Sequence, residues 1–515
     1  MLLHDVVDRA AAAEPDGVAV AFAPDGAGAS AGDTVTFAQL SARLRRVAGA
    51  VAAVTVPGDR VAVIGENHPV WVECYYGVPA AGRLLVFLNH RLSAAELGSI
   101  LERSGASVLI GSADQLERLA RQAPGAAVRV SFAEWSDRVD ASPPLTSLAS
   151  DPAAAAWLLF TSGTTAQPKG AVLTHDSILA AVRVTAAARP AAPDDIYLFA
   201  FPLCHVAGYN LVHHHFRARP VVLVPRFEAE AFAAATERYG VTSTSLAATM
   251  LSALLDHVEA TGTASVGSLR SVAYGAAPMP LAVLRRAARL LTVDFAQGYG
   301  MTELSGNAAF LGPDEHRRGL AGDTWLLGAA GKPGPGVSIR VVDDNLTDTP
   351  IGEPGEIVVR GEQVMAGYWH DPVMTAEALQ DGWFRTGDVG RFDAGGWLYV
   401  VDRKKDVIVS GGENISSRQV EEVLHQHPAV KEVAVVGVPD LRWGENVCAV
   451  VVPWPGQTVD GDELVRGARE VLAGFKVPRH VVVVEELPKN AAGKVVKADL
   501  RAWLASDPAA RGPRR

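Results

Sequence analysis

The stretch 158-LLFTSGTTAQPKGAVLTH-175 sets a run of hydroxyls and a glycine directly after an apolar segment, with a lysine a few residues on. Hydroxyls and unencumbered backbone N–H groups hold phosphate oxygens, and the lysine adds a cation. Its core, 163-GTTAQPKG-170, comes close to the nucleotide-binding pattern GxxxxGK[ST]. Pro168, however, stands where the second glycine belongs, and Gly170 where the metal-binding hydroxyl belongs. The stretch is a candidate phosphate clamp of another kind, against the plainer alternative of a polar strand-to-helix turn.

Four more stretches could act on the same chemistry: 298-GYGMTE-303, 386-TGD-388, 402-DRKKDVIVSGGEN-414 and 488-PKNAAGK-494. The first opens like a dinucleotide fingerprint, but Glu303 occupies the place of its third glycine, so that reading fails. The others supply a carboxylate, a cationic cluster and a lysine in a glycine-flanked loop. Taken singly, Asp388 and Lys494 read as solvated surface charges and Tyr299 as a core aromatic. Other chemistries find less support. The run 213-HHH-215 on a helix points its rings in different directions and lacks the spacing of a shared metal face. Cys204 and His205 are adjacent, so their side chains diverge and make no nucleophile–base pair. No GxSxG elbow is present.

The elements that must position these residues alternate. Apolar runs such as 61-VAVIG-65, 107-SVLIG-111, 196-IYLFAF-201, 220-PVVLV-224 and 269-LRSVAYG-275 are interleaved with helical stretches such as 228-EAEAFAAATERYG-240. That is the pattern of parallel sheets covered by helices. From about residue 325 the texture changes to short Gly/Pro-punctuated strands, 338-SIRVVDD-344, 356-EIVVRG-361 and 397-WLYVVD-402, which fit an antiparallel or barrel-like unit. Beyond 402-DRKKD-406 a compact α+β pattern follows, with strands at 406–410, 432–438, 447–453 and 480–486 and helices at 418–427 and 462–475. The expected fold class is α/β. A large N-terminal domain over 1–401 joins a small mobile C-terminal α+β domain over 402–515, and the tail from 506 is expected to be disordered.

Taken in order and at these distances, the five stretches resemble the ANL superfamily of adenylate-forming enzymes, from 89-NHRLS-93 through Lys494. The resemblance implies a two-step reaction. A carboxylate attacks the α-phosphate of ATP, pyrophosphate leaves, and a thiol then takes the acyl group from the adenylate. Two anions must meet in the first step, so hydroxyls, backbone N–H groups, Mg2+ and a lysine are wanted around the phosphates.

By this resemblance Thr161, Ser162, Gly163, Thr164 and Thr165 clamp the leaving pyrophosphate, with Lys169 nearby. Tyr299 stacks on adenine beside Gly300 and Met301, with Gly275, Ala276 and Ala277 as the other wall of the slot. Thr302 contacts the α-phosphate and Glu303 ligates magnesium. Asp388 accepts the ribose hydroxyls and Arg403 adds a second ribose contact. Lys494 reaches the α-phosphate and the substrate carboxylate during adenylation. The family then swings its C-terminal domain about the position of Asp402, and Gly411, Gly412 and Glu413 face the adenylate where the thiol attacks. Trp443 matches a family position, with core packing as its alternative. His205 matches the gate of the acyl pocket, whose other candidates are Tyr209, Asn210, Leu246–Met250 with Ala248, Gly275, Gly300 and Leu304–Ala308. Ala166, Ala248 and Ser417 stand where many members carry Gly, Pro and Pro, a departure expected to tune rate or substrate without removing a catalytic charge.

The pocket candidates are mostly small or apolar, and no paired arginine stands out for a second carboxylate. The expectation is therefore a medium- or long-chain fatty acid joined to coenzyme A. Two alternatives stay open: transfer to the phosphopantetheine of an acyl carrier protein, or a nucleotide-binding relative without activity. Composition agrees with a globular enzyme: 515 residues, 49% hydrophobic and 20% charged. The net charge of -10 argues against general nucleic-acid binding. The three dispersed cysteines, an N-terminus unlike a secretory signal and the absence of a long apolar span favour a cytoplasmic setting without a transmembrane segment.

Overall fold

The computed structural model describes residues 1–515 except 25–33, 121–127, 162–167, 276–278, 405, 411–412, 441–442, 491–492, 508–509 and 511–515. The chain divides into two compact units. The first comprises Met1–Ile339 and Val359–Phe384, the second Arg340–Val358 and Arg385–Arg515. The expected joint at Asp402 lies inside the second unit.

The first unit is built on two sheets. One has nine strands, in the order Lys332–Pro333, Gly306–Leu311, Asp294–Met301, Ser271–Gly275, Ser243–Ser245, Tyr197–Phe199, Val221–Leu223, Val18–Phe22 and Thr34–Thr36. Its central six strands run parallel, and antiparallel strands close both edges. The other has seven, in the order Gly367–Tyr368, Lys169–Thr174, Ala155–Thr161, Leu84–Leu88, Arg60–Ile64, Val108–Gly111 and Val128–Ser131. Its central strands are largely apolar, as Leu84–Leu88 shows with every residue buried, because helices must cover both faces.

Local signals set the helix ends. The Ala229–Tyr239 helix stops at Gly240, whose φ of +61° is the left-handed conformation that a side chain disfavours. The His175–Ala188 helix starts at Thr174, whose hydroxyl accepts the Ser177 N–H at 3.0 Å, a cap worth about 1 kcal/mol. That cap fixes the helix directly to the strand carrying Lys169.

The second unit contains the antiparallel pair Val430–Asp440 and Gly444–Pro453, flanked by Ile408–Ser410, Glu413–Ile415 and, in parallel, His480–Val483. Helices Ser417–Leu424 and Gly461–Val471 bury Val420, Leu424, Leu464, Val465 and Ala468 on one face of this sheet. Lys497–Ser506 buries Leu500 and Leu504 in a separate cluster with Val436, Val450 and Leu487. The part from residue 406 on has the α+β make-up expected, with one helix more than the sequence pattern contained, while the unit also takes in Arg340–Val358 and the residues from Arg385, which the sequence reading assigned to the N-terminal domain. No helix among the described residues is long and apolar enough to cross a membrane.

Candidate active site

The 162–168 loop joins two antiparallel strands, Ala155–Thr161 and Lys169–Thr174, with Thr161 directly opposite Lys169. A P-loop leads from a strand into a helix, so this connection rules out both that architecture and the simpler strand-to-helix turn. Ser162, Gly163, Thr164, Thr165 and Ala166 lie outside the described residues.

Glu303 is brought to the same place from another sheet. The Asp294–Met301 strand runs into a single 3₁₀ turn, Thr302–Leu304, and returns as Gly306–Leu311. Side chains at Gly298 and Gly300 would collide with the Asn307 side chain and the Gly306 carbonyl, so these glycines serve the close approach of the returning strand. Ser305 holds a left-handed φ of +54°, uncommon for a residue with a side chain, and its buried hydroxyl is bonded to Ser177 Oγ at 3.0 Å.

The Glu303 carboxylate receives Thr161 Oγ1 at 3.5 Å and the Tyr368 hydroxyl at 3.2 Å on the same oxygen. Lys169 Nζ lies 5.5 Å from the centre of the Tyr368 ring. Burial, reinforced by the neighbouring Glu303 carboxylate, pushes the Tyr368 hydroxyl above its ordinary pKa, so it remains a donor at neutral pH. The segment carrying Tyr368 is tied down at both ends. Met365 N–H donates to Glu303 O, and Gln363 Nε2 donates to Leu304 O and Asn307 O, each at 3.1 Å. Gly367–Tyr368 also pairs with the strand of Lys169. Tyr368 and Gln363 were missed in the sequence, where neither belongs to a glycine-rich or charged pattern.

Gly275 lies opposite Gly298 across paired strands, which places it beside the strand of Tyr299, Gly300 and Met301. Thr161, Lys169, Gly275 and the 299–303 segment therefore converge, while Ala276 and Ala277 lie outside the described residues.

On the acid side, His205 is half-buried at the start of the Val206–Gly208 turn. Burial pushes the neighbouring Cys204 thiol up to about 12, which leaves it inert at neutral pH. Tyr209 is packed rather than open: its ring lies against Gly306 and its hydroxyl meets Thr185 Oγ1 at 3.3 Å. Leu304 is fully buried, and Ala248 is the first residue of the Ala248–Thr261 helix. Arg189 escaped the sequence reading. Its guanidinium donates to Asn210 Oδ1 at 2.8 Å and to Ser245 Oγ at 3.4 Å, putting a cation beside the expected acid pocket.

The three consecutive histidines go three ways. His214 bonds to Asn210 O at 2.8 Å and faces Asp195 at 3.4 Å, and His215 lies between the Tyr76 hydroxyl and Ala19 O. Neither ring nitrogen of buried His213 has a hydrogen-bond partner among the described residues. Among the described residues no group of three potential metal ligands exists.

In the second unit Asp388 and Arg403 are strand partners, and Asp388 Oδ1 meets Arg403 Nε at 2.7 Å. Asp388 is 3% exposed, and its N–H donates to Thr386 Oγ1 at 3.1 Å. Asp402 is buried and accepts the N–H and the hydroxyl of Ser417 at 2.6 and 2.7 Å, so it anchors the Ser417–Leu424 helix. A proline at 417 could supply neither donor. Lys494 is exposed, at the end of a turn closed by hydrogen bonds with Asn490. Trp443 is half-buried beneath Arg479, at 5.4 Å. Glu413 pairs with Ser410 through the backbone, and Gly411, Gly412 and the Glu413 side chain lie outside what is described.

Comparison with known proteins agrees with this arrangement. The AMP-binding enzyme family matches residues 7–369, and the AMP-binding enzyme C-terminal domain matches residues 419–494. A feruloyl-CoA synthase of Amycolatopsis sp is 40% identical over 475 residues, covering 91% of this chain and 94% of the relative. A fatty acid–[acyl-carrier-protein] ligase of Streptomyces coeruleorubidus is 36% identical, covering 91% and 92%. The structure of o-succinylbenzoate CoA synthetase from Bacillus subtilis with its acyl-adenylate intermediate superimposes with a TM-score of 0.84 at 30% identity, covering 96% and 97%. The chain belongs to the ANL superfamily of AMP-binding, adenylate-forming enzymes and is an AMP-forming acid–CoA ligase.

Proposed function

We propose that the acid is an aryl acid. The carboxylate oxygen attacks the α-phosphorus of ATP, the bond to the β-phosphate breaks, and pyrophosphate leaves. The coenzyme A sulfur then attacks the acyl carbon and AMP departs. Thr161, Lys169 and the 162–165 loop hold the pyrophosphate, and Thr302 holds the α-phosphate. Tyr299 with Gly275–Ala277 receives adenine, and Asp388 with Arg403 receives the ribose. Lys494 serves adenylation. Gly411, Gly412, Glu413 and Trp443 serve the thiol step, with Asp402 as the hinge.

The oxygens gathered at Glu303, from its own carboxylate, Thr161 and Tyr368, are hard donors with a single carboxylate among them. Such a set suits Mg2+, which takes few protein ligands and completes its shell with water and phosphate. Magnesium held by Glu303 would draw charge from the phosphates. The three free cysteines, all buried, fit a reducing cytoplasmic setting.

The observation that carries the aryl reading is the 40% identity with feruloyl-CoA synthase along nearly the whole chain. A medium- or long-chain fatty acid passed to coenzyme A or to a carrier-protein phosphopantetheine is the second reading. The 36% identical carrier-protein ligase and the small side chains of Ala247 and Ala248 favour it. The possibility of an idle relative is opposed by the presence of Glu303, Asp388 and Lys494.

Mass spectrometry of the purified protein with Mg-ATP and matched aryl and fatty acids, with and without coenzyme A, tests the reading. Aryl-CoA is expected. Fatty acyl-CoA alone would overturn the aryl assignment, and acyl-AMP that never reaches coenzyme A would transfer the acceptor role to a carrier protein.

A further inference from the structure

A cleft of about 110 Å³ opens where the parallel strands Tyr197–Phe199, Ser243–Ser245 and Ser271–Gly275 begin. Its walls include Arg189, Asp195, Tyr197, His213, His214 and Ser243. Some of these charges are already answered: His214 faces Asp195, and Arg270 at the rim pairs with Asp194 at 2.8 Å. Two groups are not. Arg189 donates only to the neutral oxygens of Asn210 and Ser245, and no carboxylate among the described residues pairs with it. A guanidinium has five N–H donors, so donors remain for a ligand. His213 is 1% exposed, lines the cleft, and has no hydrogen-bond partner at either ring nitrogen among the described residues. Buried polar groups are nearly always hydrogen-bonded, and each exception calls for an explanation, of which a group that completes the set is one. Burial, helped by the neighbouring His214 and Arg189, holds His213 well below its ordinary pKa, so the neutral ring offers one donor and one acceptor.

The same elements line this cleft and the expected acid pocket. The Tyr209–Phe216 helix carries Asn210 at one end and His213 a turn later, on the same face. The Ser243–Ser245 strand leads from the cleft toward Leu246–Met250. The Ser271–Gly275 strand leads from the cleft to Gly275, four residues and about 13 Å away. Arg189 lines the cleft and donates to Asn210, an acid-pocket candidate, and to Ser245, which precedes Leu246.

The geometry points to a recognition subsite at the far end of the acid pocket, where Arg189 and His213 bind an oxygen acceptor carried by the acid remote from its reacting carboxylate. This rests on the ligase reading above and deepens it: the substrate class is an acid with a distal phenolic or carboxylate oxygen rather than one ending in bare hydrocarbon. A hydrocarbon end would leave both groups unanswered, and a site built to hydrogen-bond its substrate rejects the analogue that lacks the group.

The test uses the full chain and pyrophosphate exchange with two matched pairs, 4-hydroxycinnamate against cinnamate and decanedioate against decanoate. In the wild type, kcat/KM for the oxygenated member of at least one pair exceeds that of its partner tenfold or more, and the pair that shows it identifies the oxygen. Arg189→Met lowers that ratio at least tenfold, and Arg189→Lys restores part of it. If the methionine variant melts early, His213→Phe carries the test with a fall of at least threefold. Flat ratios in the wild type, or ratios untouched in folded variants, overturn the subsite alone. Exchange with none of the four acids overturns the proposed acid class and the subsite with it.

Discussion

Replacing Asp388 by asparagine keeps the shape of the side chain and removes its charge. Asp388 is almost fully buried between Thr386 and the Arg403 guanidinium at 2.7 Å. If its carboxylate accepts both ribose hydroxyls, each bond is charge-assisted and worth roughly 1.5–3 kcal/mol, against about 0.5–1.5 for a neutral pair. Asparagine retains one acceptor oxygen, so one bond is lost and the other weakened. The sum is about 2.5–4.5 kcal/mol, or roughly 60- to 1600-fold in kcat/KM for ATP. Stability should change little, because Arg403 is 48% exposed and such a half-solvated pair contributes about 1 kcal/mol or less. The assay is pyrophosphate exchange with ATP, 2′-deoxy-ATP and 3′-deoxy-ATP. Wild-type enzyme should prefer ATP about tenfold over each analogue. In Asp388→Asn that preference should shrink to about twofold. A folded variant that discriminates as well as wild type would show that the ribose is held elsewhere.

Other outcomes follow from the same structure. Lys494→Ala should slow adenylation about 100- to 1000-fold while sparing thioester formation from supplied acyl-adenylate; equal loss in both half-reactions would refute its assignment to the first. Acidification should destabilise the first unit. Burial holds His175 and His215 at about 4, below the ordinary 6.5, so the unfolded chain binds more protons between those values. Their contribution is complete above pH 6.5 and is lost as pH falls to about 4, on the order of 3 kcal/mol per residue. Urea midpoints measured from pH 7.5 to 4.5 should fall, and His175→Asn, which can still accept the Leu3 N–H, should flatten the slope. Ala248→Pro should stabilise the chain by about 0.4–1 kcal/mol. Position 248 opens its helix, and Ala247 already has the extended ψ of 161° that a following proline requires. A lowered unfolding midpoint would contradict this.

The sequence alone determined many of the strands and helices and the class of chemistry the chain can perform. The 61–65 and 269–275 runs became Arg60–Ile64 and Ser271–Gly275, and the 228–240 stretch became Ala229–Tyr239, because hydropathy period and terminating glycines act within a few residues. The five ordered stretches carried the family through residue types that bind phosphate and ribose. Helix ends were less legible: the helix expected to 475 stops at Val471, and Lys497–Ser506 has only two buried leucines to announce it. Only the tertiary structure decided what surrounds the chemistry. Tyr368 reaches Glu303 from 65 residues away, and Arg189 meets Asn210 and Ser245 across 21 and 56 residues. The histidine run separated into a core ring that donates to the Ala19 carbonyl, a partner of Asp195 and an unanswered ring. A side chain's partner is set by strand order and sheet packing, which join residues distant along the chain, and a local pattern holds no record of that choice.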